Sequence, residues 1–240
     1  LDAARELGVT VAAVTGANTV SVAEHVVMAA LALMRGLIPA HNQLAQGQWS
    51  LPQWIAHARD IQGKTLGIVG MGRIGREVAA RLLPFGVTTF YYDIQPLPPE
   101  QEESLGVTYL ELDALLPECD ILTLHMPLTP ETRGLFGRER LLAMKRGAFL
   151  INTARAELVD EGALVEALQG HLGGAAIDVF AQEPPPPDHP LLRLPNVILT
   201  PHGAGVTQEA QQRIAQGVIQ NVLRFLEGRP LADVVVQGTR

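Results

Sequence analysis

Three polar residues each follow an apolar run of strand-like length: Arg155 after FLINTA, Asp178 after GAAI and His202 after VILTP. An arginine offers a planar fork of donors that matches a carboxylate. An imidazole exchanges protons near neutrality and serves as a general acid or base. Each residue also has a plain structural reading: a helix-capping arginine, a turn-forming aspartate, a hydrogen-bonded histidine. Three of them at one end of the same scaffold point instead to a site. A fourth, Glu183, stands directly before four prolines in AQEPPPPDHP, residues 181–190. Such segments are loops, because proline has no amide donor and a fixed φ. Locally, Glu183 reads as an ordinary loop charge; the alternative is the partner of a catalytic histidine elsewhere in the chain.

Upstream, GIVGMGRIGREVAA carries Gly70, Gly72 and Gly75 in the spacing G-x-G-x-x-G. The first glycine permits a tight turn, the second lets backbone approach a pyrophosphate, and the third lets helix and strand pack closely. The helix start offers unpaired amides and a positive dipole end to phosphates. The segment lies between strand-like TLGIVG and helix-like RIGREVAARLLPFG, the setting a dinucleotide fingerprint requires. Asp93 ends the next apolar run, 21 residues after Gly72. A carboxylate there binds the adenosine ribose hydroxyls and repels a 2′-phosphate, so NAD is expected rather than NADP. Tyr92, Ile94 and Gln95 supply no cation to offset that repulsion. The competing reading of Asp93 is a turn former.

These residues need a scaffold to bring them together. TLGIVG, VTTFYYD, DILTLHMP, GAFLINTA, GAAIDVF and NVILTPH read as strands, with helical stretches such as RERLLAMKR and EGALVEALQG between them. Doubly apolar strands alternating with helices predict an α/β fold, a doubly wound parallel sheet covered on both faces. In such sheets ligands sit beyond the carboxyl ends of the strands, where Arg155, Asp178 and His202 fall. Outside this region LDAARELG reads as a short helix, and a last helix is expected from Thr207 to Glu227, ending at Gly228. SVAEHVVMAALALMRG reads as a further helix, with Ser21 as N-cap and Glu24 completing a capping box. Only Glu24 and His25 are polar between Val22 and Met34. That helix is therefore either a core element or a subunit interface.

At 240 residues and 47% hydrophobic content the chain can bury a substantial core, in one large or two small domains. Its 18 basic and 25 acidic residues leave a formal charge of −7 and no dense basic cluster, which argues against a nucleic-acid surface. The apolar run Val26 to Met34 is too short to cross a bilayer, and no charged-then-apolar leader opens the chain. Neither a membrane nor a secretory route is expected. The single cysteine, Cys119, fits a reducing compartment, so the expected location is cytoplasmic. No metal site is expected.

Taken together, SVAEH (21–25), GMGRIG (70–75), LHMPLTPETRGLFG (124–137), GAFLINTARAELVDEGAL (147–164), GAAIDVFAQEP (174–184) and NVILTPH (196–202) resemble the D-isomer-specific 2-hydroxyacid dehydrogenase family. That family includes phosphoglycerate, glyoxylate, D-lactate and formate dehydrogenases. The resemblance implies a Rossmann NAD-binding domain over 21–203. It implies remnants of a second, flavodoxin-like substrate domain at 1–20 and 204–240, whose remaining part, roughly 100 residues on the family pattern, normally precedes this point. It places the catalytic arginine, glutamate and histidine on Arg155, Glu183 and His202. Cofactor contacts fall on Gly70, Gly72, Arg73, Ile74, Gly75, Asp93, Thr153, Ala154, Arg155, Asp178 and His202. Substrate contacts fall on Asn18 and Arg155. It also implies a homodimer through the 21–45 helix region and a small 2-hydroxy or 2-keto acid as substrate.

The reaction so implied is hydride transfer between nicotinamide and C2 of a D-2-hydroxy acid. Arg155 would hold the carboxylate, His202 would move the proton, and Glu183 would fix the imidazole tautomer and favour its protonated form. The chain resembles formate dehydrogenase in several places, NTVSVAEHVVM, AHARD, PDHP and EGRPLADVVVQG, and Asn18 falls where that enzyme has its formate-binding asparagine. Formate dehydrogenases, however, carry glutamine where this chain has Glu183, and formate oxidation removes no hydroxyl proton. A glutamine does not favour an imidazolium as a carboxylate does, so Glu183 points to a hydroxy acid. Ala156 replaces the family's usual glycine after the arginine. Gly203 follows the histidine where a larger apolar residue is frequent. The alternative readings are a formate dehydrogenase-like enzyme and, on the same fold, an NAD-binding corepressor or redox sensor.

Overall fold

The computed structural model describes residues 1–238. In chain order the elements are α1 (Asp2–Glu6), β1 (Val11–Ala12), α2 (Thr19–Arg35), α3 (Leu37–Ala45), α4 (Leu51–His57), β2 (Thr65–Val69), α5 (Arg73–Leu82), β3 (Thr88–Tyr92), α6 (Pro99–Leu105), β4 (Val107–Tyr109), α7 (Leu112–Leu115), β5 (Ile121–Leu124), α8 (Arg138–Ala143), β6 (Phe149–Asn152), α9 (Glu161–Leu168), β7 (Gly174–Ile177), β8 (Val197–Leu199), α10 (Gln208–Leu226) and β9 (Val234–Val236). They form two compact units: Leu1–Ser21 with the chain from Gly205 onward, and Val22–Ala204.

The larger unit holds a seven-stranded sheet in the order β4-β3-β2-β5-β6-β7-β8. Every neighbouring pair is parallel. The chain runs outward from β2 through β3 to β4, then returns to β5 on the other side of β2. This reversal is the switch point at which doubly wound sheets open a crevice for ligands. Successive residues of each strand face opposite sides, which is why the strands are apolar throughout. Ile68, Ile151 and Ala176 pack into one core with Val26 and Leu33 of α2 and Val78 of α5. Val69, Leu150 and Ala175 pack into the other with Leu141 of α8 and Leu164 of α9.

Two expectations need correction. A seventh strand, β4, is present; three residues after Gly106 are too few to show a periodic signal. Ser21 does not cap a helix: α2 begins two residues earlier, and the Ser21 hydroxyl bonds Thr207 Oγ1 at 2.9 Å instead. The 21–45 region holds two helices, and the first ends where its apolar run does. It breaks at Gly36, whose φ of +57° suits glycine, and α3 leaves α2 at 63°. Most of α2 is core, with Ala23, Val26, Ala29, Ala30 and Met34 buried, but Met28 is half exposed.

In the smaller unit β1 pairs antiparallel with β9. There α10 is capped by the Thr207 hydroxyl, which accepts the Ala210 amide at 3.0 Å, and the helix ends before Gly228 at φ +66°. No single helix among the described residues is long and apolar enough to cross a membrane.

Candidate functional site

The three fingerprint glycines occupy three different environments at the carboxyl end of β2. Gly70 has φ +99°, and a Cβ there would lie 2.7 Å from the His125 carbonyl carbon. At Gly75 a Cβ would lie 2.3 Å from the Gly70 carbonyl oxygen, so only glycine lets α5 lie this close to the turn. A Cβ on Gly72 would meet nothing within 4 Å. Gly72 is the N-cap of α5 and has no side chain to satisfy the first amides. The open space beside those amides is what a pyrophosphate needs, so the loop fits a dinucleotide. Arg73 is exposed and Ile74 half-buried at the helix start.

Asp93 follows β3 and has a second task that sequence reasoning missed. Its Oδ2 accepts the Met71 amide at 2.7 Å, tying β3 to the glycine loop. A carboxylate accepts about four hydrogen bonds, so capacity remains for ribose hydroxyls. Arg76 Nε clamps the same loop through the Met71 carbonyl at 3.1 Å.

Beyond β6 the turn of Thr153, Ala154 and Arg155 is shaped by Asn152, which sequence reasoning also missed. Asn152 is 1% exposed; its Oδ1 accepts the Ala154 amide and its Nδ2 donates to the Arg155 carbonyl. The Thr153 hydroxyl is buried without a hydrogen-bond partner. Buried polar atoms rarely stay unpaired, so this one suits a bound group. The Arg155 side chain is exposed and spends Nη1 on the Ala154 carbonyl at 2.6 Å.

Asp178, at the end of β7, is buried beneath the turn that follows β8. Its Oδ1 accepts the Thr200 hydroxyl at 2.5 Å and the Gly203 amide at 2.8 Å, and its Oδ2 accepts the Ala204 amide at 2.9 Å. The His202 amide donates to the Asp178 carbonyl at 2.8 Å. Three of about four acceptor positions are thus used to hold the loop. His202 itself has φ +53°, a left-handed conformation that a non-glycine residue adopts only where its surroundings impose it.

The histidine Nδ1 lies 2.8 and 3.0 Å from the two Glu183 oxygens, and both side chains are partly solvent-exposed. Glu183 Oε1 also accepts the Phe180 amide at 3.1 Å. The hydrogen bond from His202, then that from Phe180, hold the Glu183 carboxyl below its ordinary value, with the charge of Arg155 adding to the effect. A proton on Nδ1 faces the carboxylate and leaves Nε2 to exchange with a ligand. The structure therefore joins Glu183 and His202 and sets Arg155 within electrostatic reach. Asn18 stands in the smaller unit, where it packs against Gly205.

Two further histidines belong to this region. Burial pushes His125 down to about 3, and its Nε2 lies 3.0 Å from Thr123 Oγ1. Burial also lowers His25, against the opposing charge of Asp178, and its Nε2 lies 3.4 Å from Thr200 Oγ1. Among the described residues no group of three or more His, Cys, Asp or Glu could hold a metal ion.

Residues 27–204 match the family model for D-isomer specific 2-hydroxyacid dehydrogenase, NAD binding domain. Formate dehydrogenase 2, mitochondrial, of Oryza sativa subsp. japonica is 43% identical over 242 residues, covering 99% of this chain and 64% of its own length. Glyoxylate reductase of Thermofilum pendens is 43% identical over 228 residues, covering 94% of this chain and 67% of its own length. The structure of NAD-dependent formate dehydrogenase from Staphylococcus aureus in complex with NAD superposes with a TM-score of 0.89 at 44% identity, over 99% of this chain and 71% of that one. The chain thus spans a little under two thirds of the rice relative. Its glycine cradle lies within the matched segment, NAD is the cofactor that segment binds, and the chain belongs to the D-isomer specific 2-hydroxyacid dehydrogenase family.

Proposed function

We propose that the protein interconverts a D-2-hydroxy acid and its 2-keto acid by hydride transfer with NAD. The observation that supports this most is the Glu183 carboxylate on His202 Nδ1. Bound nicotinamide supplies the hydride donor or acceptor. His202 Nε2 takes the proton from the substrate hydroxyl in oxidation and returns it to the carbonyl oxygen in reduction. The imidazole gains positive charge as it takes the proton, and the ionised Glu183 beside it stabilises that charge. Arg155 keeps donors free for the substrate carboxylate. In this proposal Gly70, Gly72, Arg73, Ile74, Gly75, Asp93, Thr153 and Ala154 hold the cofactor, with Arg155, His202 and the remaining acceptor capacity of Asp178. Asn18 is assigned a substrate contact on the family resemblance alone.

Formate oxidation breaks a C–H bond and removes no hydroxyl proton, so a histidine–carboxylate acid–base pair has no task in it. That favours a hydroxy acid although several relatives are named formate dehydrogenases, and it agrees with the name of the Thermofilum pendens relative. The proposal includes a homodimer through α2 and α3, where Met28, Leu37 and Leu44 expose apolar surface. It also includes a reducing compartment, the cytoplasm, on the buried thiol of Cys119. Glyoxylate, hydroxypyruvate and bulkier 2-keto acids assayed with NADH, beside formate with NAD, test the central claim. Turnover of at least one keto acid well above that of formate is the expected outcome; formate as the preferred substrate overturns it.

A further inference from the structure

His189 lies in the loop after β7 and takes no part in the chemistry described above. It is 8% exposed. Its Nε2 lies 3.1 Å from Glu161 Oε2, at the first residue of α9. That helix start is itself fixed, because Asp160 Oδ1 accepts the Ala163 amide at 2.8 Å. The other ring nitrogen, Nδ1, is buried with no hydrogen-bond partner. An apolar ring would fill this place without leaving a nitrogen unpaired, so what the imidazole adds is the bond to Glu161.

The same ring stands edge-on to Phe180, centroids 5.5 Å apart and planes at 90°. Phe180 is the residue whose amide donates to Glu183 Oε1. The His189 amide donates to the Pro186 carbonyl at 3.0 Å, closing the intervening proline-rich loop on itself. A continuous path of contacts therefore runs from α9 through Glu161, His189 and Phe180 to the Glu183 carboxylate.

We propose that His189, anchored by Glu161, is a positioning residue that fixes the Phe180–Glu183 turn and so aims Glu183 at His202. This rests on the acid–base role proposed for Glu183. The test is the pH dependence of 2-keto acid reduction with NADH in the complete protein. The variants are Glu183→Gln, His189→Phe, His189→Gln and Glu161→Ala, each with its melting temperature. His189→Phe keeps an aromatic ring against Phe180 and loses the tie to Glu161. Glu161→Ala breaks the tie from a residue whose side chain is 42% exposed, so it remains informative if the core substitution impairs folding.

Both are expected to move the alkaline limb to lower pH, in the direction of Glu183→Gln but by less. They should lower kcat by about tenfold and leave KM for NADH unchanged. His189→Gln, which can still donate to Glu161, should recover most of the loss. Lower melting temperatures with unmoved limbs in His189→Phe and Glu161→Ala, while Glu183→Gln moves its limb, overturn this inference alone. An unmoved limb in Glu183→Gln itself overturns the acid–base reading, and this inference falls with it.

Discussion

Both oxygens of Glu183 face His202 Nδ1, at 2.8 and 3.0 Å, and one of them is held from behind by the Phe180 amide. The carboxylate is thus fixed by backbone before it meets the imidazole. The histidine is fixed in turn by the left-handed conformation that Asp178 stabilises. Two partly exposed side chains so constrained from opposite sides lose little further freedom when they act together.

Glu183→Gln keeps the reach of the side chain and removes its charge. In the native protein the hydrogen bonds from His202 and Phe180 depress the Glu183 carboxyl. Its pairing therefore contributes stability above the unfolded carboxylate value and loses it only as pH falls through the lower folded value. Glu183 stays ionised throughout the neutral range. Under the proposed mechanism keto-acid reduction needs the protonated imidazole, so activity is expected to fall as pH rises. Without the carboxylate that form is less favoured, and the alkaline limb moves to lower pH; the acidic limb of hydroxy-acid oxidation moves the same way. His202→Ala should reduce turnover on the order of a hundredfold or more with NAD affinity nearly unchanged. Superimposable pH profiles for wild type and Glu183→Gln return Glu183 to the role of a loop charge.

Asp178→Ala should act through the same loop by another route. It leaves the Thr200 hydroxyl and the Gly203 and Ala204 amides without their acceptor. Ala204 alone of the three is buried, and leaving a buried donor unpaired costs about 1–3 kcal/mol in desolvation; water recovers part of the loss at the other two. We expect a clearly lower melting temperature together with reduced turnover, because the side-chain bonds to the residues flanking His202 are lost and only backbone bonds then keep it at positive φ. Full turnover in a folded Asp178→Ala protein speaks against the anchoring role.

The parallel sheet and the fingerprint loop were legible because their signals are local: apolar runs of strand length, glycines at fixed spacing, and polar residues where those runs stop. β4 was not, since three residues carry no period. Neither was the start of α2, where Ser21 looks like a cap but its hydroxyl is engaged by Thr207, far along the chain. The pairing of Glu183 with His202 spans a loop whose course no local pattern describes, and the family resemblance alone suggested it. Asn152 and the second task of Asp93 stayed hidden for the same reason. A side chain that bonds backbone looks, in sequence, like any other polar residue at a strand end.

Asp93 is the residue proposed to set the cofactor preference, and its bond to the Met71 amide decides which variant tests that role. Asp93→Ala would remove both the charge and the acceptor of the Met71 amide, confounding specificity with loop disorder. Asp93→Asn keeps an acceptor oxygen and removes only the charge. Wild type should favour NAD(H), because a carboxylate beside a 2′-phosphate is a like-charge clash. Asp93→Asn should narrow the ratio of kcat/KM for NAD(H) over NADP(H), chiefly by raising the NADP(H) value. Equal efficiency of the wild-type protein with both cofactors removes the basis for this assignment.

Two glycines of the same fingerprint should respond to one extra methyl group in opposite ways. At Gly72 a Cβ meets nothing within 4 Å, and the residue does not need a positive φ. Gly72→Ala should therefore fold with a change in stability under about 1 kcal/mol. The methyl group nevertheless enters the space beside the α5 amides that is proposed to take the pyrophosphate. A misfit of about 1–3 kcal/mol there weakens NAD binding roughly tenfold to a hundredfold. At Gly75 the added carbon would sit 2.3 Å from the Gly70 carbonyl oxygen and 3.1 Å from Ile68 Cγ2. Backbone cannot yield there as a flexible side chain could, so Gly75→Ala should separate α5 from β2, lowering the melting temperature as well as NAD affinity. Thermal unfolding and NADH titration of the two variants separate the cases. Gly72→Ala that binds NADH as tightly as wild type would show that the open space beside that glycine is not where the phosphates lie.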